Sequence, residues 1–450
     1  MLPTSTSLQS NGLRPDGHRL KLHPLEVNGR HARLQRILYP IMLAIYAALP
    51  WIHVGGKPAV WLDLTQRRFF LMGMAFNASD TYLMFFLLSG LGFLLLVLSA
   101  MWGRLWCGWA CPQTVLLEGV FRRIEILVDG PARQRKQRER GAWTLDRVLR
   151  LGVKHGLFLA AALVFTHLFI AYFASMDDVV EMVQRPPSEN LPVFTWMVVI
   201  TGVLYFNFAW FREQLCLVVC PYGRLQSALA DEDTISVGYD TRRGEPRGRK
   251  GTTGAADCVD CSLCVQACPT GIDIRNGLQL DCIGCAHCID ACNDVMVQIG
   301  RPPGLIRCDS LNGLGGKPRR FWRPRVYGYI AAAVLGVVAL SIGINAREPL
   351  QVSLLRAQGV PREVTPDGVL HRLMVHVTSK SPDPLNVELS VETSPAVRAV
   401  VPITAMQLAG FEGRHIPFVI VVPRGTPPGE VRVTVTAKDR GMRLERRIAL

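Results

Sequence analysis

Two cysteine runs carry the densest chemistry in this chain: CVDCSLCVQACP from Cys258 to Pro269, and CIGCAHCIDACN from Cys282 to Asn293. Each has the spacing C-x2-C-x2-C-x3-C. Three closely spaced thiolates take three corners of a cubane iron-sulfur cluster, and the more distant fourth cysteine serves the other cluster. Two 4Fe-4S clusters are therefore expected. Cys258, Cys261, Cys264 and Cys292 should hold one, and Cys282, Cys285, Cys288 and Cys268 the other. Zinc also takes four thiolates, but its pairs usually stand as two separated C-x2-C knuckles, not tandem quartets. Pro269 closes the first run as in bacterial ferredoxins, and Asn293 takes that place in the second.

Two further pairs lie outside these runs: Cys107 and Cys111 in WCGWACPQT, and Cys216 and Cys220 in REQLCLVVCPYGRLQS. Both read C-x3-C-P. In a continuous helix, residues four apart share a face with Cβ atoms about 5–6 Å apart, so two thiols can converge on one soft ion. Pro112 and Pro221 disfavour helical geometry at the preceding cysteine, so each pair should mark a helix end. All four thiols meet only if the apolar spans preceding the pairs are neighbours; otherwise they are small buried residues filling helix contacts. Histidine offers less. His155 and His167 would stand about 18 Å apart along a helix, which excludes them as axial ligands of one haem iron. With His53, they read as interfacial or helix-contact histidines. Cys308 reads as a spare thiol, His287 as tuning or solvating the second cluster, and Arg212 and Glu213 as boundary charges.

The elements that must position these groups are mostly apolar. A chain of 450 residues with 49% apolar content and a mean hydropathy of +0.21 is too long for one ordinary domain and points to a membrane protein. Five runs reach the roughly 17–25 residues that cross a bilayer: 37–54, 82–101, 157–173, 194–210 and 326–344. The first follows Arg14, Arg19, Lys21, Arg30, Arg33 and Arg36 without a small-residue cleavage pattern, so it reads as a retained anchor. Eleven Lys or Arg lie between the second and third runs, whereas 175–192 holds Asp177, Asp178, Glu181 and Glu189 against Arg185 alone. Positive charge favours the cytoplasmic side. GGKPRRFWRPR before the last run keeps the cysteine segment inside as well. The expected topology is that of a bacterial inner-membrane protein, with the N-terminus and clusters cytoplasmic and the C-terminus periplasmic. Contact with the lipid bilayer accounts for much of the net charge of +14, and no nucleic-acid partner is expected.

The stretch 238–257, rich in glycine and charge, reads as a linker. Beyond the last run, LNVELSVET and EVRVTVTAK alternate like half-buried strands, TPPG at 426–429 supplies a turn, and further strands are expected at 370–377, 397–403, 416–422 and 444–449. The fold class is a multi-domain membrane protein with five transmembrane helices, a bacterial-ferredoxin-like di-cluster segment and a C-terminal all-β immunoglobulin-like sandwich. The expected domains are 1–36, 37–213, 214–325, 326–344 and 345–450.

WCGWACPQT, REQLCLVVCPYGRLQS, the run CVDCSLCVQACPTGIDIRNGLQLDCIGCAHCIDACNDVM and the following GLIR together resemble the CcoG/FixG (also RdxA) family, accessory proteins of the cbb-type haem-copper cytochrome c oxidase. The resemblance runs from about Leu62 to the C-terminus, with Cys308 standing where an aromatic residue is expected after GLIR. It implies five spans, two cytoplasmic cubane clusters, an external immunoglobulin-like domain, and reduction of Cu(II) to Cu(I) for oxidase assembly. Cys107, Cys111, Cys216 and Cys220 would be the catalytic, copper-binding cysteines, with copper as the substrate ion. The implied partners are an unknown electron donor and oxidase-assembly or copper-transport proteins. An electron-transfer subunit serving a respiratory reductase and a non-catalytic assembly scaffold are the alternatives. No nucleotide-binding glycine motif identifies the donor.

Overall fold

The computed structural model describes residues 22–64, 67–77, 80–249, 254, 256–279, 281–356, 363–365, 368–425 and 429–449. Arg14, Arg19, Lys21 and most of the expected turn at 426–429 lie outside the described residues. Among those described, four helices are long and apolar enough to cross a membrane: Thr81–Trp102, Leu145–Ala174, Leu191–Phe211 and Pro324–Asn345. Their apolar side chains stay largely uncovered by protein. Phe85 is 66% exposed and Leu335 69% exposed, as befits helices whose solvent is lipid. The first and last of the four meet where a Cβ on Gly336 would stand 3.2 Å from Gly90 Cα. Small residues permit such close helix approach in membranes.

The first of the five expected spans is helical over only part of its length. Run 37–54 is helical only as far as Ala48, within a helix Arg30–Ala48 that contains Pro40. Residues 37–48 rise about 18 Å, short of the roughly 30 Å hydrocarbon core. The chain then enters a two-stranded ladder, His53–Val54 with Lys57–Pro58. The beginning of this helix is tied to the cysteine segment. Asp290 accepts from the backbone N–H groups of His31 and Ala32 at 3.3 and 2.8 Å.

The chain forms two compact units. One comprises Phe85–Ala171, Met176–Ala339 and the chain up to Ala48; it holds every cysteine. Here 238–257 is not simply a linker. Ser236–Tyr239 pairs antiparallel with Ile306–Asp309, Asp240 caps Thr241–Gly244 through the N–H groups of Arg242 and Arg243, and Arg243 meets Asp257 at 2.8 Å. The charges that suggested a solvated connector are used in pairs.

The other unit comprises Leu49–Met84, Tyr172–Ser175 and Leu340–Leu450. Its largest part is two antiparallel sheets. One has the order Arg398–Val400, Gly413–Val422, Gly368–Ser379, Leu350–Arg356, with Glu363–Thr365 also on Gly368–Ser379. The other runs Ala405–Leu408, Leu385–Glu392, Glu430–Ala437, Met442–Ala449. Alternate residues share one core: Val375, Val377 and Phe418 from the first sheet, Leu389, Val433 and Val435 from the second. The alternation anticipated most of these strands, but not Leu350–Arg356 or Ala405–Leu408. A three-stranded sheet, Val60–Asp63, Arg68–Leu71 and Met74–Phe76, was also unanticipated. Asp80, just beyond it, is buried between Arg347 and Lys380 at 2.8 and 2.7 Å.

Candidate redox site

The two cysteine runs fold alike. Each places its third cysteine in a short helical segment, Leu263–Gln266 or His287–Gln298, and each has a left-handed residue directly after its second cysteine: Ser262 at φ 58° and Ala286 at φ 64°. For non-glycine residues that conformation costs roughly 1–2 kcal/mol, so its repetition marks a loop shape imposed by its surroundings. Cys258, Cys261, Cys264 and Cys292 line one cavity of about 20 Å³, together with Arg275, Met296 and Ile306. The remote cysteine of the second run thus joins the first three of the other. Around Cys288, the neighbouring thiols include Cys285, Cys282 and Cys268, the reciprocal exchange. All eight cysteines are free of disulfides, and Cys258 and Cys264 sit in a core with Ile274, Ile289 and Leu305.

This donor set suits an iron-sulfur cluster. Burial pushes the Cys264 and Cys292 thiols up to about 12 and Cys282 up to about 11. Thiolates in so apolar a setting need a cationic core to hold their charge.

The C-x3-C-P pairs mark helix ends, as their prolines imply. A short helix Leu105–Trp109 stops before Cys111, whose ψ of 127° is extended, and Pro112 begins the next helix. Cys220 is likewise extended at ψ 111°, between the π-turn Leu215–Val219 and the helix Pro221–Leu229. The segments adjoin. Cys107 Sγ donates to Gln226 Oε1 at 3.4 Å, Gln113 Nε2 donates to Arg212 O at 3.1 Å, and Arg104 donates to Gly223 O. Burial raises the Cys107 thiol to about 12, and Cys111 and Cys220 add to the rise. Cys216 is likewise raised to about 12 by burial, then by Cys111, Cys107 and Cys220. The structure therefore brings all four into one neighbourhood. Among the described residues, the two quartets included, no three His, Cys, Asp or Glu are gathered to the spacing of a single ion.

The pairs also adjoin the second quartet. Gly108, between Cys107 and Cys111, lies on the backbone of that quartet: a Cβ there would meet Ile283 O at 2.6 Å and Cys285 N at 2.8 Å. Only glycine allows this approach. Trp109 Nε1 donates to Gly284 O at 3.2 Å. Gln35, buried on the Arg30–Ala48 helix, donates to Gly108 O and Cys285 O at 3.0 and 3.2 Å, and its Oε1 lies 2.7 Å from His287 Nε2. Tyr39 Oη donates to the same Gly108 O at 2.7 Å. Sequence reading missed Gln35 and Tyr39: Gln35 stands in the polar stretch just before the run taken for an anchor, and only Tyr39 was a polar group inside it.

Arg212 and Glu213 are more than boundary charges. Arg122 reaches Glu118, Glu125 and Glu213 at 3.1, 3.3 and 2.7 Å, and Arg212 reaches Glu125 at 2.5 Å, all in a buried cluster beside the Cys216 turn. Burial alone would raise the Glu118 carboxyl, but the Arg122 guanidinium outweighs it and the net shift is downward. Cys308 lines the same cavity of about 130 Å³ as Cys282 and Gln226, closer to the second quartet than its isolation in sequence suggested. His155 Nδ1 meets Tyr205 Oη at 2.8 Å, His167 Nδ1 meets Leu163 O at 2.7 Å, and His53 Nδ1 meets Trp51 O at 3.0 Å.

Known proteins align with this arrangement. A model described as a 4Fe-4S dicluster domain matches residues 211–311, and one described as a 4Fe-4S binding domain matches residues 83–137. Protein RdxA of Cereibacter sphaeroides is 34% identical over 77% of this chain and 75% of its own. The nitrogen fixation protein FixG of Rhizobium meliloti is 32% identical over 91% of this chain and 85% of its own. The chain belongs to the FixG/RdxA family. RdxB of Cereibacter sphaeroides, at 32% identity, extends the match to 96% of this chain and 94% of its own. A crystal structure of a FixG-related protein from Vibrio parahaemolyticus overlaps 23% of this chain and 96% of its own at 15% identity, with a TM-score of 0.21, too slight to bear on the fold. This FixG/RdxA member is a membrane-associated iron-sulfur electron-transfer protein with two 4Fe-4S clusters.

Proposed function

We propose that this protein is a membrane-bound metalloreductase that receives Cu(II) at Cys107, Cys111, Cys216 and Cys220 and releases Cu(I) on the cytoplasmic side for assembly of a cbb-type cytochrome c oxidase. Cys258, Cys261, Cys264 and Cys292 hold one cluster, and Cys282, Cys285, Cys288 and Cys268 the other. The C-terminal sheets are read as an external immunoglobulin-like sandwich that meets assembly or copper-transport proteins.

When bound, 4Fe-4S clusters supply electrons one at a time, the number that Cu(II) consumes. The chain's own residues do the rest. Soft thiolates favour the reduced ion over the oxidised one, and Gln226 orients Cys107. The observation that carries the reading is the approach of Gly108 to Cys285, which joins a copper pair to a cluster segment without intervening side chains.

A second reading is an electron relay to a respiratory reductase, in which the two pairs take iron. It is favoured by the 4Fe-4S binding model over residues 83–137, which covers Cys107 and Cys111. The test is a Cu(I)-chelator assay on anaerobic, chemically reduced full-length protein carrying Ala at Cys107, Cys111, Cys216 and Cys220. Copper binding and reduction should vanish with cluster iron unchanged. Reduction at the parent rate would end the copper assignment, and a loss of iron would move the relay reading ahead.

A further inference from the structure

The basic segment before the Leu145–Ala174 helix encloses a cavity of about 200 Å³ that the redox chemistry does not use. Its cationic lining is Arg135, Arg138, Arg147, Arg150 and Lys154, against the acids Glu125, Asp129 and Glu139. The acids are already engaged: Glu125 by Arg122, Arg135 and Arg212, Asp129 by Lys154, and Glu139 by His23. Arg138 and Arg147, by contrast, donate to neutral backbone carbonyls, those of Asp129 and of Gly141 and Glu139. Their charges have no carboxylate in these contacts. Arg135 is only 4% exposed; its terminal nitrogens meet Glu26 and Glu125 at 2.5 and 3.3 Å, and its buried Nε has no hydrogen-bond partner among the described residues, while Arg150 is paired with Asp146 at 2.9 Å. The cations with only carbonyl partners in these contacts, Arg138 and Arg147, suit an anionic acceptor.

The surroundings say which kind of anion. Trp143 is 71% exposed, with the Arg147 guanidinium 4.4 Å over its ring, and Leu145 is 75% exposed. The apolar run of the helix begins only at Leu157, three residues beyond Lys154. The cavity therefore opens where the helix leaves hydrocarbon, with an exposed tryptophan and leucine at its rim, as in a headgroup layer. We infer that this cavity is a binding site for the phosphate of an anionic phospholipid, with Arg138 and Arg147 on the phosphate, Lys154 shared between it and Asp129, and Trp143 at the lipid boundary. The inference is independent of the copper reading.

Native mass spectrometry of detergent-solubilised full-length protein, titrated with phosphatidylglycerol, phosphatidylcholine or inorganic phosphate, tests it. One phosphatidylglycerol should be retained in preference to phosphatidylcholine. R138Q/R147Q/K154Q should bind it roughly a hundredfold more weakly, from about a fivefold effect per basic side chain at an anionic surface. K317Q/R320Q/R325Q, which removes the same charge elsewhere in this unit, should change it less than about twofold on the same scale. Equal loss in that control, or equal retention of phosphatidylcholine, would overturn the site. Binding of inorganic phosphate with no lipid retained would overturn the lipid as its source. If the triple variant loses cluster iron or thermal stability, R147Q alone decides: about a fivefold weakening supports the site, and parent affinity overturns it.

Discussion

At the scale of single residues, function rests on contacts too short for a side chain. Gly108→Val would place its Cβ 2.6 Å from Ile283 O, so the two backbones must part. Overpacking of this kind costs about 1–3 kcal/mol. The expected outcome is a lower melting temperature and slower Cu(II) reduction with copper affinity retained, measured by thermal unfolding, stopped-flow kinetics and copper titration. Gln35→Leu acts on the same junction differently. Gly108 O keeps Tyr39 Oη, but Cys285 O and His287 Nε2 lose this partner, at about 1–3 kcal/mol for each buried group left unsatisfied. Here kcat for Cu(II) should fall while KM and iron content stay at parent values; an unchanged kcat would show that Gln35 only packs. The cysteines themselves were legible because their spacing is local. Gln35 and Tyr39 were not, because their partners lie far away in sequence, Gln35 in the polar stretch before the first apolar run and Tyr39 within it.

At the scale of elements, the buried ion cluster joins helical segments separated by scores of residues. Arg122→Met would leave Glu118, Glu125 and Glu213 facing one another with less positive charge. Removing one member of such a buried set costs roughly 3–5 kcal/mol. The variant should melt well below the parent in detergent, and an unchanged melting temperature would show that water compensates these carboxylates. Four long helices were legible from apolar length alone, and most strands of the two facing sheets from their alternation. The short strands between His53 and Phe76 were not: each is too brief to establish a period, and they exist by pairing with one another. The supposed linker failed for a related reason. Glycine and charge density describe composition, whereas Asp240 and Arg243 are placed by a cap and an ion pair.

At the scale of the whole molecule, the chain's two units cut across its loop charges, because the acidic segment beyond Ser175 falls in the unit that holds every cysteine. Leu49–Met84, Tyr172–Ser175 and Leu340–Leu450 gather in the unit without cysteines, and the topology proposed from loop charge puts 175–192 and 345–450 outside. Reporter fusions at Lys136, Arg140 and Gly315 should therefore report cytoplasm, and fusions at Gly56, Glu189 and Asp439 the outside. With Lys136 inside and Thr81–Trp102 crossing, Gly56 lies outside, and a cytoplasmic N-terminus then requires the Arg30–Ala48 helix to cross with help from Trp51 and Ile52, both exposed; a cytoplasmic signal at Gly56 would mean that Thr81–Trp102 does not cross. The central claim is more direct than topology: an electron passes from this iron-sulfur protein to copper held at the C-x3-C-P cysteines. Its most direct measurement is anaerobic electron paramagnetic resonance of the chemically reduced full-length protein, freed of excess reductant and mixed with one equivalent of Cu(II). The Cu(II) signal should disappear with loss of one reduced-cluster spin per copper, about half of the signal when both clusters start reduced, and both signals should persist when Cys107, Cys111, Cys216 and Cys220 are Ala. A Cu(II) signal that survives beside fully reduced clusters in the parent protein would contradict it.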